Sequence, residues 1–334
     1  MDTSLVKSIK IFVLFLLLCI GTFLLLKTVR PFGIGPWQAK QAIAQMIMEI
    51  FYYPVLYIFK EILFAPWIWL ALALTLLMEH VLPAQPRSKF IGLNFAQDFV
   101  WFFYEAILHS LILTTYVALL ISIYQHHFSG FTITAVNKLP DWAIFLFALL
   151  LQDLMYWLQH YLNHQVPVLW EFHKLHHSQQ VMNFFTDFRY HVLEYLVRQT
   201  FLVIPFLVFA VKPPVIIAFV IVSKWYTRFY HGNIKTDLGL LRYLLVTPQS
   251  HRIHHSIENC HFDKNFGAIF SIWDFIFKTQ YYGFKEYPAT GILDSDFPTE
   301  KAGDLGSLLL TPIHQMIHPF KAIKRKWFCN KNQA

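Results

Sequence analysis

The sequence predicts an all-α integral membrane protein, with about four transmembrane helices, a short re-entrant helical hairpin and a cytosolic, histidine-rich helical cap. Three observations predict it. Of 334 residues, 56% are hydrophobic and 14% charged, whereas soluble domains run near ~45–50% and ~25%; mean hydropathy is +0.44. Uncharged apolar runs recur at lengths near the ~20 residues that a membrane span needs. Eleven of the 17 histidines fall between His160 and His261, a window that is otherwise polar and aromatic. Disorder, collagen and ordinary soluble globules are excluded. A net charge of +7 would suggest nucleic acid for a soluble chain. Here it suits basic loops facing anionic lipid headgroups, and no nucleic-acid partner is expected. Cys19, Cys260 and Cys329 are too few and too scattered for a disulfide framework or a thiolate cluster.

Residues 11–26 form a charge-free run of 16, flanked by Lys7, Lys10, Lys27 and Arg30. No small-residue cleavage site follows, so an uncleaved anchor helix is expected rather than a signal peptide. Further spans are expected at 62–78, 106–125 and 142–164, the last with Asp153 in its interior. A carboxylate at membrane depth costs several kcal/mol and implies a function. Residues 201–211 and 215–222, split by Lys212-Pro213-Pro214, are each too short to cross a ~30 Å core; they read as a hairpin entering and leaving on one side. Residues 303–327 place Leu309, Ile313, Met316, Ile317, Phe320, Ile323 and Trp327 at helical spacing among basic residues. That suits either an interfacial helix or one packed on its own domain. Three regions follow: 1–141 as N-terminal anchor and first spans, 142–282 as the catalytic part, and 283–334 as tail. The basic residues place both termini and the histidines on the cytoplasmic side, in a bacterial inner membrane or the endoplasmic reticulum.

The histidines are patterned. In DLMYWLQHYLNH, Asp153, Tyr156, Trp157, His160 and His164 share one helical face. FHKLHH supplies His173, His176 and His177; SHRIHH supplies His251, His254 and His255. Both read H-x-x-H-H, 78 residues apart, and His191 and His231 lie singly between them. Ten histidines suit two ions better than one, and imidazole suits Zn, Cu, Fe and Ni. Two such metals beside apolar helices suggest redox chemistry on a lipid. A repeated E-x-x-H and an H-E-x-x-H are both absent, which disfavours a soluble di-iron bundle and a zincin protease.

DxxYWxxHxxxH, HxxHH, RxHxxE, HxNI and a second HxxHH followed by NFG and WD, in this order, resemble the fatty acid hydroxylase/sterol desaturase superfamily. The resemblance runs from Asp153 to about Thr279. It implies two non-haem iron ions, with zinc a possible substitute, that use O2 to hydroxylate or desaturate a lipid. It also implies a four-helix membrane part under a cytosolic cap. Carried over by motif, His160, His164, His173, His176, His177, His251, His254 and His255 are ligands, as are the singles His191 and His231. Tyr161 and Val192 stand where the family often has Arg and Pro. No cytochrome b5-like segment is seen, so a separate electron donor is expected, cytochrome b5-like or ferredoxin-like with its reductase.

Asp153, Glu194 and Asp274 are read as acceptors for the outer ring N–H of ligand histidines, and Asn233 of the HxNI motif is grouped with them. The alternative is ordinary pairing with Arg189, Arg252 or Lys264. Three rival functions fit part of the pattern: an ether-lipid-cleaving monooxygenase of the same family, a membrane zinc hydrolase, and a metal transporter or sensor. A transporter should keep its polar ligands near the bilayer midplane, whereas these boxes lie at or beyond the end of a span.

Overall fold

The computed structural model describes residues 66–85, 93–108, 114–299 and 305–331. The anchor expected at 11–26 lies outside them. The described residues are helical, with three isolated antiparallel bridges and no strand. Ten α-helices follow in order: α1 Pro66–Val81, α2 Leu93–Leu108, α3 Thr114–His127, α4 Asp141–Gln165, α5 Pro167–His177, α6 Val192–Val208, α7 Pro213–His231, α8 Pro248–His254, α9 Ile272–Ile276 and α10 Leu305–Lys331.

α4 is the one described helix long and apolar enough to cross a membrane. Its 25 residues rise about 37 Å. Among the described residues the structure shows one such helix, and the first of the four expected spans lies outside them. α1 has 16 residues. Of the run expected at 106–125, the described residues are the end of α2 and α3 up to Gln125. The short helices nonetheless carry apolar residues outward. Leu70, Leu74, Leu77 and Val81 of α1 are exposed at i, i+4, i+7, i+11 spacing, while Thr75 and Glu79 point inward. That inverted amphipathicity suits an apolar surrounding.

The hairpin has longer arms than expected. α6 and α7 run 17 and 19 residues, and Lys212 caps α7 with Pro213 and Pro214 in its first turn, where proline's missing N–H is harmless. The polar ends of both arms continue the helices toward the histidines, which apolarity alone did not indicate. The main core joins the hairpin to α4: Ala148 and Leu149 pack with Phe206, Val211, Phe219 and Ile269. A second cluster joins Trp101 of α2, Leu175 of α5 and Phe297.

α10 packs on α2 and α5, so the tail follows the packed alternative. Gln315 accepts from the Trp101 indole at 3.1 Å, and Leu309, Ile317 and Phe320 stay exposed on the far face.

Buried carboxylates tie the outer helices to the loops around the histidines. Glu79 accepts the backbone N–H of Phe184 and of Asn233, each at 2.9 Å. Asp98 pairs with Arg189 and accepts from Gln179, Asn183 and Thr186 at 2.5, 2.6 and 3.1 Å. Arg189 is 1% exposed. Asp98→Ala leaves that guanidinium buried without its carboxylate, so it should lower stability by about 3–5 kcal/mol, read by thermal unfolding in detergent.

Candidate metal centre

The last two turns of α4 carry His160 and His164, and Val166 alone separates α4 from α5. The chain turns back at once and brings His173, His176 and His177 against that end. α8 starts from a capping box: Thr247 accepts from Ser250 N–H, Ser250 accepts from Thr247 N–H, and Pro248 fills the first turn. This short helix holds His251 and His254, with His255 at its C-cap. His231 ends α7.

These nine histidines form two groups. His160, His164, His173, His177 and His254 make the first; His176, His231, His251 and His255 make the second. Within each group the candidate ligand atoms lie within 4.8 Å of one another. The two H-x-x-H-H boxes divide in opposite senses. His173 and His177 enter the first group and His176 the second, whereas His251 and His255 enter the second and His254 the first. An i, i+4 pair thus serves one centre while the i+3 ring swings to its neighbour.

The outer nitrogens fix the tautomers. Nδ1–H donates to a backbone carbonyl from His160 (Phe266, 3.0 Å), His254 (Lys264, 2.8 Å) and His231 (Thr227, 2.7 Å). A carbonyl only accepts, so each of these rings keeps a bare lone pair on Nε2. Nε2 of His160 and of His254 is buried without any hydrogen-bond partner. Neighbouring Nε2 atoms stand 3.1 Å apart for His164–His177 and 3.2 Å for His173–His177. In the second group they stand 3.2, 2.8 and 3.1 Å apart for His176–His231, His231–His251 and His251–His255. Nitrogens about 2.1 Å from one ion are spaced about 3.0 Å at right angles and about 3.4 Å in a tetrahedron. Both groups therefore fit a transition-metal ion, and an all-imidazole donor set suits iron, zinc, copper or nickel.

Residues 145–279 match the fatty acid hydroxylase family. This stretch, about 40% of the chain, is similar to proteins of the fatty acid hydroxylase/sterol desaturase superfamily. It is 31% identical to the alkylglycerol monooxygenase of Caenorhabditis elegans over 134 residues, 40% of this chain and 26% of that protein. It is 30% identical to the ornithine lipid hydroxylase of Rhizobium tropici over 118 residues, 35% of this chain and 36% of that one. Human cholesterol 25-hydroxylase is 26% identical over 174 residues, 47% of this chain and 64% of that protein. The matched stretch spans about a quarter of the length of the alkylglycerol monooxygenases. No solved structure matches.

Several superfamily motif residues act one step further out than the sequence suggests. Asp153 accepts no histidine N–H. It accepts from Ile269 N–H, Phe270 N–H and the Trp273 indole at 2.7, 3.0 and 2.9 Å. Asp274 likewise accepts from Phe266 N–H, Gly267 N–H, the Trp157 indole and the Thr279 hydroxyl at 2.8, 2.9, 2.9 and 2.6 Å. Both carboxylates hold the 266–273 loop, whose Phe266 carbonyl then holds His160. Gly267 of the NFG motif sits where a Cβ would lie 2.6 Å from the Phe270 carbonyl oxygen and 3.0 Å from Asp274 Oδ2, so the loop needs glycine there. Asn233 exchanges hydrogen bonds with the Gln85 backbone instead of with a ring.

His191 joins neither group. Its Nδ1 accepts from Leu193 N–H, capping α6, and its Nε2–H donates to the Met316 carbonyl at 2.9 Å. Both nitrogens are engaged in joining α6 to α10. Glu194 touches a ring: Oε1 lies 2.6 Å from His173 Nδ1, and Asn163 donates to it at 3.2 Å. Asp263 stands 3.4 Å from His164 Nδ1. Asp187 stands 3.6 Å from His231 Nδ1. Sequence reasoning missed Asn163 and Asp187. Asn163 lies on the helical face of His160 and was within reach of the same periodicity; Asp187 carries no such signal.

Burial holds His173, His176, His177, His251, His254 and His255 well below the usual imidazole range, and neighbouring rings add to it. Their lone pairs are thus free at neutral pH. Burial also pushes Glu194 up to about 8.

The metal content of His251→Ala should fall at the second group, while His191→Ala should keep full metal and lose about 1 kcal/mol with its cap; elemental analysis and thermal unfolding check both. The unfolded chain takes up protons near pH 6.5 whereas the buried imidazoles do so only at lower pH. Below pH 6.5 the unfolded state therefore binds more protons, and the metal-free protein should lose stability as pH falls. Thermal melts across that range read the slope.

Proposed function

We propose that this protein is a membrane-bound, O2-dependent lipid hydroxylase carrying two iron ions. The observation that supports it best is the pair of all-histidine groups beside the end of the one helix fit to span a bilayer. The lipid-hydroxylating and monooxygenase relatives support the reaction class. His160, His164, His173, His177 and His254 hold one ion, and His176, His231, His251 and His255 the other. Such a pair supplies O2 binding and reduction. In balance, a C–H bond, O2, two electrons and two protons give C–OH and water. The electrons come from a separate one-electron donor protein, and the lipid enters from the bilayer. The chain is multi-pass, with the histidines on the cytoplasmic side.

The chain's own groups do three things in this reading. The carbonyls of Phe266, Lys264 and Thr227 retain the Nδ1 protons, keeping Nε2 for metal. Tyr190 stacks on His176 at 4.9 Å and 14°, fixing that ring's plane. Near-complete burial of the rings keeps bulk water from the reacting centre.

A second reading, hydroxylation beside an ether oxygen so that the ether lipid falls apart, is favoured by the alkylglycerol monooxygenase relatives. Comparative lipid mass spectrometry of cells with and without the protein tests both. A product heavier by one oxygen supports hydroxylation, and an aldehyde with a freed alcohol supports ether cleavage. A loss of two hydrogens replaces hydroxylation by desaturation, and turnover without O2 overturns the reading in favour of a hydrolase. His176→Ala should abolish turnover and lower bound metal; full turnover in that variant rejects its assignment.

A further inference from the structure

The proposed reaction takes up two protons for each O2, while the rings that serve it are almost wholly buried. A cavity of about 320 Å³ borders the first group, with His164, His177 and His254 in its wall. The charged side chains of that wall are already engaged. Lys174 donates to Glu171 at 2.9 Å and to Asp294 at 2.8 Å, and Asp263 stands beside His164 Nδ1. Among the described residues there, Ser256 supplies the one hydroxyl, and it is buried.

That hydroxyl begins a chain of polar groups leading outward. Ser256 Oγ lies 2.8 Å from His261 Nδ1 and accepts from Glu258 N–H at 3.0 Å. A backbone bridge to Thr290 holds Ser256 in place. His261 is 1% exposed, and its Nε2 lies 3.2 Å from Glu286 Oε2. Glu286 accepts, so the ring carries its proton on Nε2, and Nδ1 accepts from the Ser256 hydroxyl. Tyr281 donates its hydroxyl to the same carboxylate at 3.1 Å and sets its ring 4.7 Å from that of His261. On the other side Glu258 lies 3.9 Å from Nδ1. The side chains of Glu258 and Glu286 are 54% and 49% exposed, so each meets solvent while touching a buried imidazole. Glu258, Cys260 and His261 offer ligand atoms within 4.8 Å of one another. Both nitrogens of His261 already have partners, however, which suits a proton carrier better than a cation ligand. Imidazole is the side chain that gains and loses a proton most readily near neutrality.

We propose that Glu258, His261 and Ser256 form a proton relay from solvent to the cavity beside the first group, with Glu286 and Tyr281 as positioning residues. The relay rests on the hydroxylase reading above and adds where that reaction's protons enter. Glu258 takes a proton from water and passes it to Nδ1, its O–H bond breaking as the N–H bond forms. The imidazolium so formed stands between two carboxylates. Nδ1–H then breaks as a new Oγ–H forms, and the proton formerly on Oγ leaves into the cavity. No electron moves. Ser256 keeps a hydroxyl throughout, and the ring returns to its Nε2–H form, ready for the next proton.

Two measurements on the full chain in detergent test it. The first is nuclear magnetic resonance of the metal-free protein with isotope-labelled histidine, the His261 signal being assigned by its loss in His261→Gln. Saturation transfer from water reads how fast each ring proton exchanges. His160, whose Nδ1–H is held by the Phe266 carbonyl, is the internal reference. Exchange at His261 should be about tenfold faster than at His160, and Glu258→Gln should slow it toward that reference; equal exchange at the two rings overturns the relay. The second uses iron-loaded protein, reduced with dithionite and mixed with O2. Reoxidation in His261→Gln and in Ser256→Ala should be about tenfold slower, with bound iron and thermal unfolding unchanged. Lutidine, a base too hindered to ligate a metal, should restore the rate. Unchanged reoxidation overturns the relay, and a slow rate that lutidine does not restore overturns it in favour of a packing role. Should either variant lose iron or unfold early, Glu258→Gln, at an exposed position, takes its place with the same expected outcome. Wild-type protein that O2 does not reoxidise overturns the hydroxylase reading, and the exchange measurement then decides the relay by itself.

Discussion

Nine imidazoles held in two buried groups with Nε2 atoms about a nitrogen–nitrogen polyhedron edge apart set the terms for everything around them. Lone pairs facing one another in a low-dielectric interior repel, and a buried polar atom without a partner costs about 1–3 kcal/mol. Five of the nine rings are clamped from outside, while Nδ1 of His176, His251 and His255 is buried without a hydrogen-bond partner. Phe266, Lys264 and Thr227 offer carbonyls to outer nitrogens, and Glu194 and Asp263 offer carboxylates. A cation held by each group would turn that repulsion into attraction. Metal binding and completion of the fold are coupled in such a site.

The outer clamps need their own support, and the acidic residues of the interior supply it. Asp153 and Asp274 gather backbone N–H groups of one loop, so that its Phe266 carbonyl is delivered to His160. Glu79 does the same for the backbone of Phe184 and Asn233 from a helix whose other face is exposed leucine and valine. Asp98 anchors Arg189 and the turn before α6. Charge is inside and hydrocarbon outside across these helices, the arrangement expected where the surroundings are apolar. Buried carboxylates of this kind are tolerated because every one is met by several donors.

Spacing made the helical part of the centre legible. His160 with His164, His173 with His177 and His251 with His255 are i, i+4 pairs, and each pair enters one group. Spacing did not reveal that His176 and His254 cross to the opposite groups, since that depends on how α5 and α8 face each other. The single histidines show the limit most clearly. His231 and His191 each flank a hairpin arm and each stood in a recognisable motif. One closes the second group, while the other spends both nitrogens on the cap of α6 and on α10. Asp153 and Asp274 were read as acceptors for histidine rings, but their donors are backbone amides, two indoles and the Thr279 hydroxyl. Any buried carboxylate demands donors, and sequence cannot say whether a ring or a loop provides them.

Taken alone, the sequence determined the helical character of the described residues, the 142–164 apolar run that lies in α4, the clustering of the histidine boxes and the family resemblance. Composition and periodicity carry that information because burial and helical geometry act on residue type and spacing directly. The tertiary structure decided which ring joins which group, which carboxylate touches a histidine, and that the tail packs on α2 and α5. Those choices depend on the direction of side chains from segments some hundred residues apart, as with His160 and the Phe266 carbonyl, and direction is fixed only when the helices pack.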